Sequence, residues 1–238
     1  MSSLSTCEFI RDDAPWQLTC AEGWLIAHFA QPQRTASWAV INGGLRTTRA
    51  VAWHQVHASD LRPPVNAVTW LRDRMAARGV SDAVGLMTSR AVETYAEAQT
   101  SYGAWEARCV TTVGLGNALR VGDAPGVQGR IGTINTLLHL SQPVTDSALL
   151  EALALVTEAR TVAVVESGVL SRMSGQPASG TGTDCIVVCA PVAKKPTPYV
   201  GKHTVAGHVL GDAVLRATRQ GIERCLKDYA ARNTEQTP

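Results

Sequence analysis

The chain has 238 residues, of which 45% are hydrophobic, and its 22 lysines and arginines against 20 aspartates and glutamates give a formal net charge of +2. That is enough apolar material for one sizeable core, and with no basic run longer than Lys194-Lys195 the electrostatic footprint of a nucleic-acid or anionic-membrane binder is missing. Acidic residues by Asp13, no continuous apolar segment near the start and no stretch of about 18 apolar residues argue against a secretory signal or a membrane span. A cytoplasmic protein with a small-molecule partner is expected.

From Gln17 to about Arg49, apolar segments alternate with turn residues. Trp24-Leu25-Ile26-Ala27 and Ala39-Val40-Ile41 around glycine pairs read as antiparallel strands, and Ala50-Val51-Ala52-Trp53 as a further strand. Pro63-Pro64 is expected to start a helix to about Arg78, since Val65, Val68, Leu71 and Met75 recur at helical spacing before Gly79. Short strands are expected at Val84 to Met87, Cys109 to Val113 and Ile134 to Leu140, with an ordered functional loop over 115–132. A second helix starts near Thr145-Asp146 and buries Leu149, Leu153, Val156 and Ala159. The run 161–165 is either its continuation or a β-branched strand.

Cys185 to Ala190 reads as a central strand, stopped by Pro191, Pro196 and Pro198. A last helix runs from around Thr204 to about Ala231 with Leu210, Ala213 and Ala217 on one face, and the tail from Asn233 is expected to fray. Interspersed strands and helices with a hairpin-like first half give an α+β class, with mixed or largely antiparallel sheets covered by helices, in a single domain over 1–238. The six cysteines, at 7, 20, 109, 185, 189 and 225, are too scattered for a disulfide scaffold and read as reduced thiols. Cys185 and Cys189 share a strand face without the two-residue spacing of a zinc pair, and no metal is assigned.

Small polar residues recur at the ends of the apolar runs: Ser37 to Gly44, Thr111 to Asn117, Gly132-Thr133-Ile134-Asn135, Ser179-Gly180-Thr181-Gly182-Thr183-Asp184 and Gly201-Lys202-His203-Thr204. These types weaken element interiors and favour turns, so their clustering marks a site. In the 174–184 loop, glycines such as Gly180 and Gly182 let backbone N–H groups approach a developing negative charge, while the absence of a P-loop lysine disfavours a nucleotide triphosphate. Asp184 opens a strand whose same-face neighbours, Ile186 and Val188, are apolar, so its carboxylate needs a specific partner or a stabilised neutral form. His203 precedes a helix beside Lys202 and either shuttles protons or caps the helix. Asn42, beside Gly43, and Asn117 and Asn135 each end an apolar run, as amide-recognising groups or as turn residues. Glu158 is either a buried functional carboxylate or part of the solvated helix face. Of the six tryptophans, Trp38, next to Ser37, is the ligand-facing candidate and the others are mostly core.

The strings Thr111 to Ala118, Arg120-Val121-Gly122-Asp123, Gly132 to Asn135, Thr157-Glu158-Ala159, Ser179 to Asp184 and Gly201 to Thr204 together resemble the adenosylcobinamide amidohydrolases, over about Ser37 to Gly211. The resemblance implies hydrolysis of the amide joining a corrin side chain to aminopropanol, releasing adenosylcobyric acid and 1-aminopropan-2-ol for cobalamin salvage. The corrinoid is then substrate, no separate cofactor is required, and a homo-oligomer is left open. Asp184 or His203 is expected to activate water and His203 or Lys202 to protonate the leaving amine. The backbone of 180–183, with Asn117 or Asn135, supplies oxyanion donors. In the competing mechanism Thr181 or Thr183 is a covalent nucleophile activated by His203. The rival functions are a corrinoid-binding protein without catalysis and a hydrolase of another amide.

Overall fold

The computed structural model describes residues 16–126 and 131–234. Its elements are β1 (Trp16–Ala21), β2 (Trp24–Ser37), β3 (Gly44–Gln55), α1 (Ala67–Arg78), β4 (Val84–Thr88), β5 (Ala96–Tyr102), β6 (Trp105–Val113), β7 (Ala118–Leu119), β8 (Ile134–Leu140), α2 (Asp146–Glu166), β9 (Gly180–Thr181), β10 (Cys185–Pro191) and α3 (Val205–Thr234). The main sheet has the order β4-β3-β2-β10-β8-β6-β5, with β1 paired to β2, while β7 and β9 form a small separate ribbon. Among the described strand pairs, β3/β4 and β8/β10 are parallel and the others antiparallel. Each of the parallel pairs is spanned by a helix, α1 and α2 respectively, as a parallel connection requires. The expected α+β class, a mixed sheet covered by helices, is the one observed.

Turn chemistry sets the first hairpin. Glu22 and Gly23, both at positive φ (55° and 74°), join Ala21 to its partner Trp24, the two-residue geometry that matches strand twist. β2 then runs fourteen residues, farther than the apolar run 24–27 foretold. Its pairing with β3 shifts between His28 and Gln33, and Pro32, which has no N–H to give a ladder, falls inside that irregularity. The run Ala39 to Ile41 is not a strand. It forms the turn between β2 and β3, where Asn42 takes φ 55°.

Because β2 bends, its first half pairs with β1 and its second half with β10, and the sheet folds over as two leaves. Between them Val110, Leu137 and Val187 of one leaf meet Trp16, Leu25, Val51 and Trp53 of the other. The outer side of the first leaf takes α2 and α3, with Leu138 and Ile186 against Leu149, Val156, Leu210 and Ala213. α1 covers the second leaf through Leu71 and Met75 against Ile26 and Ala52. Each fully buried large aliphatic side chain contributes about 1.5–3 kcal/mol, so three stacked apolar layers hold the leaves in place.

The helices start where side chains can cap them. α1 begins at Ala67, later than Pro63-Pro64 suggested, because Asn66 accepts from the Val68 and Thr69 N–H groups. α2 continues through 161–165 as one helix, since Ala163 and Val164 pack into the core and no breaker intervenes before Gly168. Thr204 Oγ1 accepts from Gly207 N–H at 3.0 Å and opens α3. The fraying expected from Asn233 falls largely outside the described residues, as does Cys7. Cys109, Cys185, Cys189 and Cys225 are buried free thiols. Among the described residues no helix is long and apolar enough to cross a membrane.

One buried group makes this fold pH-sensitive. His139, in β8, lies against Trp16 and Phe29 with the Arg108 guanidinium nearby, and burial followed by that positive charge lowers its pKa to about 4. An unfolded histidine protonates near 6.5, so as pH falls the unfolded state binds the proton first. The contribution is complete above pH 6.5 and disappears progressively down to pH 4. It amounts to about 3 kcal/mol. Urea unfolding at a series of pH values is expected to show stability rising between pH 4 and 6.5, and His139→Phe to flatten that rise.

Candidate active site

Where the two leaves part, a pocket of about 290 Å³ opens between the start of β8, the residues preceding β10, the end of β4 and the β2–β3 turn. Its centre of organisation is Asp184. One carboxylate oxygen accepts from Ile134 N–H at 2.9 Å and from the Thr181 hydroxyl; the other accepts from Thr181 N–H at 2.9 Å and from Arg160 at 2.7 Å. Both members of the ion pair are more than nine-tenths buried. The specific partner that Asp184 needed is therefore Arg160, on the buried face of α2. With four donors on two oxygens, the carboxylate's acceptor capacity is filled.

The glycines around it are steric requirements. A Cβ on Gly180 would lie 2.3 Å from Asp184 Oδ2, so only glycine lets the carboxylate sit against this strand. A Cβ on Gly116 would lie 2.1 Å from Ile131 O, and one on Gly132 2.6 Å from both Gly114 O and Gly116 N. The segments 114–117 and 131–133 thus cross at backbone contact, and the buried Asn117 packs its Oδ1 side against Gly132.

The pocket walls carry Trp38, Asn135, Thr183 and Asp184 from the expected set. Trp38 is about half exposed (49%), and its indole N–H donates to Asp184 O at 2.8 Å, which pins the ring at the pocket lip. Asn135 Nδ2 donates to Met87 O at 2.6 Å and so ties β8 to β4 across the gap between the leaves. Thr133 Oγ1 lies 2.8 Å from Thr183 O, and Thr183 Oγ1 donates to Gly132 O at 3.0 Å. Cys185 also lines the wall, with Ser37 Oγ 3.9 Å from its sulfur; burial pushes the thiol up to about 11, so it is no nucleophile at neutral pH.

Other expected residues support the pocket without lining it. Ser37 Oγ donates to Ile186 O at 2.7 Å, and Asn42 Nδ2 donates to Ser81 O and Ala83 O at 2.7 and 2.8 Å, fixing the turn that carries Trp38. Gly43 is there because a Cβ would meet Ala39 O at 2.4 Å. Thr181 is committed to Asp184, and Gly182 is exposed in the adjoining turn.

Three expected members do not join this group. His203 is exposed in the turn before α3, Lys202 Nζ contacts Glu158 Oε1 at 2.7 Å, and both partners of that pair are more than half exposed. The Gly201 to Thr204 motif is a capping turn: Thr204 opens α3, and Gly207 is needed because its Cβ would meet Gly201 O at 2.2 Å. His203 and Lys202 are not among the residues that line the pocket at Asp184, and Glu158 lies on the solvated face of α2.

A family model described as adenosylcobinamide amidohydrolase matches residues 10–230. The chain belongs to that family. Among curated proteins it is similar to the adenosylcobinamide amidohydrolase of Methanosarcina mazei, 25% identical over 193 residues covering 77% of this chain and 87% of that protein. It is also similar to an uncharacterized protein of Methanocaldococcus jannaschii, 30% identical over 157 residues, 58% of this chain and 61% of that protein; the match thus spans under two thirds of that relative's length. Among solved structures, a Burkholderia sp. β-aminopeptidase aligns with TM-score 0.43 and 14% identity over 87% of this chain and 79% of that one. The L-aminopeptidase D-Ala-esterase/amidase of Ochrobactrum anthropi aligns with TM-score 0.42 and 10% identity, over 88% and 83%.

For this member of the adenosylcobinamide amidohydrolases, sequence reasoning did not single out Arg160, which holds Asp184, or Ser89, which lines the pocket. Arg160 had a signal: it sits four residues after Val156 on the buried stripe of α2, and a buried guanidinium demands an anion. Among the described residues no group of three or more His, Cys, Asp and Glu side chains is placed to hold a metal ion. Removing one partner of the buried pair leaves an uncompensated charge, so Arg160→Ala is expected to cost about 3–5 kcal/mol in urea unfolding. Lys202→Ala, at an exposed pair, is expected to cost less than about 1 kcal/mol.

Proposed function

We propose that this chain hydrolyses the amide linking a corrin side arm to aminopropanol in adenosylcobinamide, giving adenosylcobyric acid and 1-aminopropan-2-ol for cobalamin salvage or remodelling. The observation that carries this reading is the family match over residues 10–230, which contains every segment that walls the pocket. The pocket's size supports it. Ligand sites typically enclose about 300–1,000 Å³, so 290 Å³ takes one arm of a macrocycle and leaves the ring outside. At the mouth, Trp38, Val40 and Ile131 are exposed apolar residues on which the edge of a corrin can rest.

Inside, the chemistry needs donors aimed at a developing oxyanion and a fixed approach for the attacking oxygen. Asn135 spends one Nδ2 proton on Met87 O, and its second serves the substrate carbonyl together with backbone N–H groups of the 182–183 turn. Attack comes from the side of that turn, where Thr183 lines the wall. Asp184 acts as a positioning residue, holding β9, β8 and α2 in fixed relation through its four bonds. The corrin's cobalt belongs to the substrate, and no further cofactor is proposed.

Incubation with adenosylcobinamide is expected to release 1-aminopropan-2-ol, detected by mass spectrometry; binding of the corrinoid without release would leave only the non-catalytic reading. Trp38→Ala is expected to raise KM about tenfold, the equivalent of about 1.4 kcal/mol of lost binding. His203→Ala, outside the pocket, is expected to keep kcat within about twofold, whereas a proton-transfer role would cost it about 100-fold or more.

A further inference from the structure

Resting on the reading of the pocket as the seat of the scissile arm, we propose that Ser89 hydrogen-bonds the hydroxyl group of the amino-alcohol portion and makes the enzyme specific for it. Ser89 directly follows β4 and lines the pocket, half-buried. Most of the polar groups around it are already engaged by the protein. Thr88 Oγ1 accepts from Arg90 N–H, the hydroxyls of Thr133 and Thr183 serve backbone carbonyls, and the Asp184 carboxylate holds four donors. Among the described residues the Ser89 hydroxyl has no hydrogen-bond partner. A hydroxyl offers one donor and two acceptor lone pairs, and once a ligand covers it those must be met by the ligand or go unmet.

The hydroxyl is also held in place. The next residue, Arg90, is buried, pairs with Asp228 and Thr94, and lays its aliphatic stem against Gly114. The chain at Ser89 is therefore anchored to α3 and to the 114–117 crossing. Ser89 is on the β4 wall, whereas Thr183 and the 182–184 turn form the wall beside β10. An arm whose carbonyl meets the β10 side brings its remaining polar group, the alcohol, towards Ser89. A site built around one substrate hydroxyl discriminates strongly against the analogue lacking it.

The test compares the 1-aminopropan-2-ol-linked substrate with the same corrinoid carrying plain propylamine, using the wild type, Ser89→Ala and Ser89→Thr. The wild type is expected to favour the hydroxylated substrate by about tenfold or more in kcat/KM. Ser89→Ala is expected to lose about that factor on the hydroxylated substrate and little on the propylamine one, with an unchanged melting temperature, and Ser89→Thr to recover much of the preference. Equal losses on both substrates, or no loss on either, overturn the role of Ser89. A collapse of kcat beyond about 1,000-fold on both substrates overturns it too, because Ser89 would then be the attacking group. Failure of the wild type to cleave either substrate overturns the reading of the pocket, and the role of Ser89 with it.

Discussion

A single carboxylate joins the parts of this molecule that otherwise belong to different layers. Asp184 stands where the chain leaves a glycine-rich turn and enters β10, and its four bonds reach β9, the first residue of β8 and the helix behind the sheet. Its own carbonyl holds Trp38 of the β2–β3 turn. Desolvating a carboxylate and a guanidinium is costly, and such a pair yields little net stability compared with a well-packed apolar substitute. What it supplies is placement: three elements and an indole ring are fixed around the pocket.

In the reaction proposed above, selecting one amide among the many on a corrin rim is a problem of orientation more than of reactivity. The pocket takes its walls from both leaves, bridged by the Asn135 amide, so its width depends on how the leaves pack. Close backbone crossings at Gly116 and Gly132 leave no room for side chains to intrude from behind. Rigid polar groups need no reorganisation when charge develops, which is where electrostatic catalysis gains most.

Much of this was legible beforehand, for physical reasons. β8 and β10 are buried on both faces, and β10 reads as an unbroken apolar run of strand length between turn signals, as a central strand does. α2 and α3 carry an apolar stripe with a capping threonine. β5 and the second half of β2 escaped because Ala96–Tyr102 and the stretch through Gln31, Gln33 and Arg34 are polar; their strand character comes from tertiary pairing. At the site, Asp184, Asn135, Thr183 and Trp38 were brought together, since residues at strand ends share one rim. His203 stayed between two roles in the sequence because a turn before a helix has the same composition whether it borders a cleft or merely starts the helix.

The bent second strand has a consequence for how this chain can vary. It is common to both leaves, and side chains alternate faces along it, so gaining or losing one residue beyond the irregularity at Pro32 would turn Ala36 and Ser37 to opposite sides. The ring at the lip would then face away from the cleft. Insertions are tolerated at exposed bends such as those near Gly122 and Gly175, where a longer chain only extends into solvent. Strand length, more than any one residue in it, is what descendants of this sequence are obliged to keep.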